Sequence, residues 1–240
     1  MSEATDLLCI AAHPDDVEIS MAGTVISHVE QGFTVGIVDL TAGELGTRGS
    51  PELRRQEAEA ARMVLGAGFR YQAGLPDGFI QEDEASLLKV VAVIRRHKPR
   101  VVLTNAVRDR HPDHGRAAAL VARACFLSGL RKVVTTHHGA EQEAWRPVTV
   151  LHAVQDRWVD PDLVVDITPH WGRKMEALRC FRSQFHDPAS KEPESPIARA
   201  DYLPLLEGRA REMGRLLMVT YGEGFTTARS PGIRDLTTLL

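Results

Sequence analysis

The stretch LLCIAAHPDD, residues 7–16, decides the fold. Its apolar run, residues 7–12, predicts a buried strand, and the strand ends abruptly in His13, Pro14 and two adjacent aspartates. Uncompensated charge beside a hydrophobic core is costly, so these polar side chains either face solvent in a turn or surround a cation. Fold and function therefore both depend on what lies next to this strand.

Strands and helices alternate along the rest of the chain. Apolar periodicity predicts helices over residues 17–31, 51–65, 84–97, 115–127 and 171–184, and a further helix to about residue 214. Apolar runs predict strands over residues 33–40, 69–73, 99–105, 148–155 and 163–166. This alternation predicts an α/β fold in a single domain, residues 1–240, with a mostly parallel sheet and helices on both faces.

Two long loops interrupt this pattern. Residues 41–50, TAGELGTRGS, are rich in glycine, and residues 186–204 are polar and rich in proline. The second loop is long enough to indicate a functional role, and we predict that it forms a lid over the site. Arg54 follows the first loop and is a candidate for binding an anionic group through both arms of its guanidinium.

The composition argues against several classes of partner. The formal net charge is −3, from 29 basic and 32 acidic residues, which gives no reason to expect binding to nucleic acid or to an anionic membrane. The apolar runs are too short to span a bilayer, and the N-terminal residues MSEATD do not resemble a signal peptide. Three cysteines, Cys9, Cys125 and Cys180, lack CxxC spacing and predict reduced thiols in a cytoplasmic protein.

Two motifs rich in histidine and aspartate follow predicted strands. HPDD, residues 13–16, follows the first strand, and DRHPDH, residues 109–114, follows the fourth. Ligands of open parallel sheets bind at the carboxyl ends of the strands, where the winding reverses. In the strand order 3-2-1-4-5 the first and fourth strands are neighbours there. A single HPDD is more often a turn with an aspartate cap, but two such motifs that meet indicate a metal site.

The residue types in the two motifs suit Zn²⁺, which in catalytic sites has three protein ligands and one open position. The predicted ligands are His13, Asp16 and His114, a set that Fe²⁺ or another divalent metal also accepts. Asp15 is placed to take a proton from a water molecule in the open position. His111 and Asp113 are predicted to form a hydrogen-bonded pair near the oxyanion that develops during the reaction.

The motifs together resemble those of the PIG-L/LmbE-type zinc-dependent deacetylases, which remove acetyl groups from N-acetylglucosaminyl compounds. The two family signatures correspond to AHPDD, residues 12–16, and HPDH, residues 111–114. Other segments are most similar to the bacillithiol-pathway branch, the N-acetylglucosaminyl-L-malate deacetylases: DLTAGELGTRGS, LPDG, DRHPDHGRAA, FRSQF and YGEGF. The resemblance extends over residues 7–225.

The resemblance implies a Rossmann-like three-layer fold and a metal-dependent site. His13, Asp16 and His114 match the metal ligands of the family. The bacillithiol-type members also imply a homo-oligomer, a hexamer built from trimers.

The resemblance further implies roles for five residues around the metal. Asp15 matches the general base of the family. His111 matches the histidine that polarises the carbonyl or protonates the leaving amine, and Asp113 matches the residue that orients it. Arg54 resembles an arginine that contacts the substrate, and Tyr202 resembles a tyrosine that closes over the oxyanion.

We therefore expect a zinc-dependent N-deacetylase that hydrolyses a linear amide bond of N-acetylglucosaminyl-L-malate, a small-molecule substrate, in bacillithiol biosynthesis. The two carboxylates of malate need local cations, and Arg54, Arg108 and Arg110 are the candidates. Two alternatives remain open: a deacetylase of another N-acetyl sugar, such as a chitooligosaccharide or a thiol conjugate, and a non-catalytic sugar- or nucleotide-binding module. A metallophosphoesterase is disfavoured, because two-metal sites need more carboxylates.

Overall fold

The first predicted strand lies in the middle of a seven-stranded sheet. The computed structural model describes residues 4–233 and 235–238. Its strands are, in chain order, β1 (Leu7–Ala11), β2 (Val35–Asp39), β3 (Phe69–Gln72), β4 (Val101–Thr104), β5 (Thr136–His137), β6 (Ala140–Glu141), β7 (Thr149–Ala153), β8 (Leu163–Asp166) and β9 (Gly222–Thr226). The α-helices are α1 (Asp16–Ser20), α2 (Ala22–Glu30), α3 (Pro51–Leu65), α4 (Glu84–His97), α5 (Pro112–Ser128), α6 (Trp171–Arg179) and α7 (Tyr202–Arg215), and short 3₁₀ turns occupy Thr168–His170 and Leu236–Thr238.

The sheet has the order β3-β2-β1-β4-β7-β9-β8. The first five strands in this order are parallel, so the predicted arrangement around the first and fourth strands is confirmed. β9 pairs antiparallel with both β7 and β8, and β5 and β6 form a separate antiparallel hairpin. The carboxyl ends of β1 and β4 therefore lie side by side, where the winding reverses.

Helices cover both faces of the sheet, as predicted. Alternate residues of β1 point to opposite faces: Leu8 and Ile10 pack against α4 and α5, and Cys9 and Ala11 pack against α2, α3 and α6. A strand that is buried on both faces needs apolar side chains at consecutive positions, which explains the composition of residues 7–12. Within the described residues, no helix has the length and apolarity that crossing a membrane requires.

The predicted helix over residues 17–31 is two helices instead of one. The chain breaks at Met21, whose φ of −136° is not helical. Past the break, the carboxylate of Glu223 accepts hydrogen bonds from the N–H groups of Gly23 and Thr24, and it also pairs with buried Lys174 at 2.6 Å. The Glu223 carboxylate therefore caps the N-terminus of α2 and stabilises this second helix.

The start of α5 corrects a second prediction. This helix begins at Pro112 instead of residue 115, so Asp113 and His114 lie in its first turn and not in a loop. Proline is well suited to the first helical position because its φ is already helical. The ring of His111 caps the helix by accepting a hydrogen bond from the N–H of Asp113 at 3.3 Å. Three smaller differences remain: α6 ends at Arg179, β9 was not predicted, and the β5–β6 hairpin was not predicted.

Candidate metal centre and active site

The two histidine-aspartate motifs meet at the carboxyl ends of β1 and β4. The carboxylate of Asp16 faces both predicted histidine ligands: its Oδ2 lies 3.5 Å from Nδ1 of His13, and its Oδ1 lies 3.1 Å from Nε2 of His114. All three side chains are buried. The structure therefore brings the three predicted metal ligands to one point, although they come from motifs that lie far apart in the sequence.

Two amides that sequence reasoning missed hold the Asp16 carboxylate in place. Asn105, directly after β4, donates from Nδ2 to Oδ2 at 3.0 Å, and Gln155, just past β7, donates from Nε2 to Oδ1 at 2.8 Å. Burial acts to raise the pKa of Asp16, but His114 and His13 outweigh it and keep this pKa well below its usual range. Asp16 is therefore a fixed anion. The sequence signal for both amides was a polar residue at the end of a predicted strand, at residues 105 and 155.

Each predicted histidine ligand bonds a second carboxylate through its remaining ring nitrogen. Nδ1 of His114 lies 2.5 Å from Oδ2 of Asp109, and Nε2 of His13 lies 3.0 Å from Oδ1 of Asp77. Histidines that bind metals usually make such a contact, because it fixes the ring and its tautomer. One nitrogen of each ring thus remains directed at Asp16. This donor set of two imidazoles and one carboxylate fits a divalent metal ion.

The two supporting aspartates are themselves held by backbone groups. Oδ1 of Asp109 accepts hydrogen bonds from the N–H groups of Arg110, Asp156 and Arg157. Oδ2 of Asp77 accepts from the N–H of Leu45 in the glycine-rich loop. Burial opposes ionisation of Asp77, but its bonds to His13 and Leu45 lower the pKa to about 2. Both aspartates lie in motifs that the sequence singled out, DRHPDH and LPDG, yet neither had been given a role.

Among the described residues, two groups of three have ligand atoms that all lie within 4.8 Å of one another, and neither group is the predicted set of His13, Asp16 and His114. One consists of His13, His111 and His114, and the other of His13, Asp77 and Asp113. His13 belongs to both groups and to the predicted set. The rings of His111 and His114 stack with centroids 5.1 Å apart, and the ring of His13 stands edge-on to His111 at 4.6 Å. The histidines therefore form one cluster around the end of β1.

Asp15 is buried beside the cluster in an unusual backbone conformation. Its φ is 122°, which L-residues rarely adopt and which costs on the order of 1–3 kcal/mol. Its Oδ2 lies 3.1 Å from Nη2 of Arg54. Burial raises the pKa of Asp15 to about 7, against the opposing charge of Arg54. A carboxyl group with this pKa can accept a proton and give it back at neutral pH.

Arg54 is buried, and both Nη atoms of its guanidinium donate hydrogen bonds inside the chain, whereas Nε has no partner among the described residues. Nη2 donates to the carbonyl oxygen of Pro14 at 2.5 Å as well as to Asp15, and Nη1 donates to the carbonyl oxygen of Gly43 at 3.3 Å. A Cβ at Gly43 would lie 1.9 Å from Nη1, and the φ of this residue is +66°, so glycine is required there. Arg54 therefore links the glycine-rich loop to the HPDD turn while lining the cavity described below.

His111 and Asp113 interact differently from the predicted pair. Their hydrogen bond runs from the backbone N–H of Asp113 to Nδ1 of His111. The Asp113 carboxylate instead accepts from the N–H of Gly78 at 2.7 Å and lies 3.6 Å from Nε2 of His13. Burial and the neighbouring histidines lower the pKa of His111. A neutral ring whose Nδ1 is an acceptor carries its hydrogen on Nε2.

The histidine cluster, Asp15 and Asp16 line a cavity of about 260 Å³, and Asp113 is not among the lining residues. Of the four predicted substrate-binding residues, Arg54, Arg110 and Tyr202 line it, whereas Arg108 is not among the lining residues. Arg110 is exposed, at 3.6 Å from Asp156. Tyr202 is the first residue of α7 instead of the end of a loop, and its ring stacks on Phe185. The loop predicted over residues 186–204 therefore ends where α7 begins, and its role as a lid stays a prediction.

Comparison with known proteins gives a consistent family and fold. The family model described as "PIG-L: GlcNAc-PI de-N-acetylase" matches residues 8–125, which include both histidine-aspartate motifs. Among solved structures, the conserved protein TT1542 from Thermus thermophilus is similar with a TM-score of 0.86 and 31% identity, over 97% of this chain and 98% of that one. The predicted three-layer fold with a mostly parallel sheet is thereby confirmed.

Two curated relatives differ in the reactions that their names describe. A 1D-myo-inositol 2-acetamido-2-deoxy-alpha-D-glucopyranoside deacetylase of Acidothermus cellulolyticus is 30% identical over 232 residues, which cover 74% of this chain and 79% of the relative. A 4-oxalmesaconate hydratase of Pseudomonas putida is 28% identical over 205 residues, covering 75% and 74% respectively. The names of these two relatives therefore describe two different reactions, a deacetylation and a hydration.

Proposed function

The chain belongs to the PIG-L family, and on that premise we propose that it is a metal-dependent hydrolase that removes the acetyl group from an N-acetylglucosaminyl compound. The observation that carries this proposal is Asp15. Its buried carboxyl group lines the cavity next to the three converging ligand side chains, and it is held there in a strained backbone conformation. A sugar-binding module has no need of such a group, whereas hydrolysis needs a base that can take a proton from water.

We propose that His13, Asp16 and His114 hold the metal ion, with Zn²⁺ as the metal and Fe²⁺ as the alternative. Asp16 is the shared neighbour of both histidines, and Asp109 and Asp77 orient the rings from behind. When bound, the metal supplies Lewis acidity, which acidifies a water molecule and polarises the acetyl carbonyl.

The remaining residues of the cavity have separate roles in this proposal. Asp15 takes the proton from the attacking water and returns it to the departing amine, because its pKa lies near neutrality. Arg54 keeps the Asp15 carboxylate aimed at the cavity. His111 is neutral with its hydrogen on Nε2, so it donates a hydrogen bond to the acetyl oxygen as negative charge develops there. Tyr202 covers the same oxygen from α7.

We propose N-acetylglucosaminyl-L-malate as the substrate, in the bacillithiol pathway. The branch-level resemblance of the loops supports this choice. The cavity also offers a suitable cation: Arg110 lines it, is exposed, and is only loosely paired with Asp156. Arg54 is the second cation of the cavity, although both of its Nη atoms already donate hydrogen bonds within the chain and only Nε has no partner among the described residues. A cytoplasmic location and a hexameric assembly are further proposals that rest on the same resemblance.

A hydratase is the second candidate function, because the relative from Pseudomonas putida carries that name. Hydration adds water across a carbon–carbon double bond, so it also uses a base such as Asp15. It has no departing amine, however, and releases no acetate.

An acetate-release assay separates these functions. The panel contains N-acetylglucosaminyl-L-malate, free N-acetylglucosamine and diacetylchitobiose, with 4-oxalmesaconate followed by its absorbance as the hydratase substrate. Metal content is measured on the same preparation. The proposal predicts stoichiometric acetate and free amine, with the highest kcat/KM for the malate compound. Loss of 4-oxalmesaconate without any acetate release would favour the hydratase instead.

A further inference from the structure

A buried arginine attaches the long polar loop to the glycine-rich loop. Nε of Arg48 donates to the carbonyl oxygen of Ser183 at 2.8 Å, Nη1 donates to that of Pro193 at 3.0 Å, and Nη2 donates to Oγ of Ser190 at 2.9 Å. The neighbouring N–H of Gly49 donates to the carboxylate of Glu192 at 3.0 Å. The first part of this loop is therefore fastened at several points by a single side chain that is itself buried.

The beginning of the same segment is fixed from α3. The carboxylate of Glu57 is buried and accepts hydrogen bonds from both the N–H and the Oγ of Ser183, at 2.8 and 2.7 Å. Gln184 then donates from its side chain back to the carbonyl oxygen of Arg48 at 2.9 Å. These bonds join α3, the glycine-rich loop and the long loop into one unit. The chain that emerges from this unit after Pro193 enters the wall of the cavity.

Ser195 is the polar residue of that wall. Ser195, Pro196 and Ile197 line the cavity together with Tyr202. Oγ of Ser195 is buried, and it has no hydrogen-bond partner among the described residues. A buried hydroxyl group without a partner destabilises a protein, so its presence at the edge of a ligand cavity indicates that a ligand supplies the partner.

We propose that Ser195 is a specificity-determining residue that hydrogen-bonds a hydroxyl group of the sugar ring, and that Arg48 is the positioning residue that holds it at the cavity. This inference rests on the proposed function, because a glucosaminyl unit is the source of the hydroxyl group. A serine hydroxyl both donates and accepts, which suits a sugar hydroxyl that does the same. The next two residues, Pro196 and Ile197, line the cavity as well and present apolar surface beside this contact.

The test uses Ser195→Ala with a set of N-acetylglucosaminides that lack the 3-, 4- or 6-hydroxyl group in turn. Loss of one buried neutral hydrogen bond lowers kcat/KM about tenfold for the complete sugar, mainly through KM. For the one deoxy sugar that lacks the bonded hydroxyl group, Ser195→Ala and the wild type have equal kcat/KM. The matched control is Lys191→Ala, an exposed side chain of the same loop, which leaves both constants unchanged.

The role of Arg48 is tested by combining substitutions. Arg48→Ala and Arg48→Lys both raise KM, because lysine keeps the charge but lacks the fork of donors that reaches three partners. In the Arg48→Ala background, adding Ser195→Ala has no further effect on KM, whereas residues that act independently would show additive changes. Metal content, which a substitution on this outer wall does not alter, confirms that the cluster around His13 is intact.

The outcomes separate this inference from the proposed function. If the wild type releases no acetate from any N-acetylglucosaminide, the proposed function is wrong and the inference falls with it. If the wild type is active and Ser195→Ala matches it on every sugar, only the inference is overturned. Equal penalties for Ser195→Ala on the complete sugar and on all three deoxy sugars would also overturn it, because the serine would then act on folding or on the acetyl group.

Discussion

The substitution Arg54→Ala tests how Arg54 positions the Asp15 carboxyl group and sets its pKa. Nη2 of Arg54 lies 3.1 Å from Asp15, and both side chains are buried. The positive charge favours ionised Asp15, so its removal raises the pKa of this carboxyl group above about 7. A bound metal ion acts on Asp15 in both proteins, so the difference between them reports on the arginine.

The size of the effect follows from the contact. A neighbouring opposite charge at this distance shifts a carboxyl pKa by about 1–3 units. A rise of about 2 units lowers the ionised fraction of Asp15 about 100-fold at any pH below both pKa values, and turnover there falls by the same factor. Because the base must be ionised to act, the acidic limb of the kcat/KM profile moves to higher pH, and activity recovers as the pH rises.

The assay is acetate release between pH 5.5 and 10, with Arg110→Ala as the matched control. Arg110 lines the same cavity but pairs with Asp156 and not with Asp15, so its removal leaves the acidic limb in place and weakens the preference for the malate compound. Arg54→Ala should instead slow the malate compound and diacetylchitobiose alike. An unshifted acidic limb in Arg54→Ala, with a selective loss on the malate compound, would refute this reasoning and return the arginine to substrate binding.

Three further substitutions test the surroundings of the metal. Asp109→Asn leaves the ring of His114 without its charged partner, so metal affinity should weaken about 10- to 100-fold when it is measured by competition with a chelator. Unchanged affinity would show that Asp109 does not support the metal ligand His114. His111→Ala should keep its metal and lose turnover, and a metal-free His111→Ala protein beside a metal-loaded His114→Ala protein would reverse their roles. Tyr202→Phe should lower kcat while metal content and melting temperature stay constant, and wild-type kcat would make Tyr202 a packing residue.

The features that local sequence patterns determine were predictable. The unbroken apolar run of residues 7–12 correctly indicated a central strand, and the bounds of α3 and α4 follow from their caps, Ser50 and Asp83. The convergence of His13, Asp16 and His114 was predictable as well, because it follows from the strand order alone. These inferences need only the chain near each residue and one general rule about parallel sheets.

Features that depend on distant partners were not predictable. The helix break at Met21 is stabilised by Glu223, which lies near the other end of the chain. No local sequence pattern indicates this break. Asn105 and Gln155 acquire their roles only because β4 and β7 are neighbours that both end beside Asp16. A strand in the glycine-rich YGEGF segment has little local propensity, so β9 forms through pairing with β7 and β8.

Two residues lie in the predicted region but make contacts that the sequence did not indicate. Asp113 was expected to hold His111 through its carboxylate, but the start of α5 at Pro112 turns that carboxylate towards His13 and Gly78. Arg54 was expected to meet the substrate, and it lines the cavity, but its guanidinium also holds Asp15. In both cases the backbone path, not the residue type, decides which neighbour the side chain reaches.

The central claim is that a metal held beside Asp16 and a base at Asp15 together hydrolyse an N-acetyl group. The most direct test measures acetate release and metal content on one preparation each of the wild type, Asp15→Asn and Asp16→Asn. The account predicts that the wild type releases acetate and contains metal, that Asp15→Asn keeps the metal but is about 10²–10⁴-fold slower, and that Asp16→Asn loses the metal. A metal-free Asp15→Asn protein beside a metal-loaded Asp16→Asn protein, or acetate release that persists at the wild-type rate in Asp15→Asn, would contradict it.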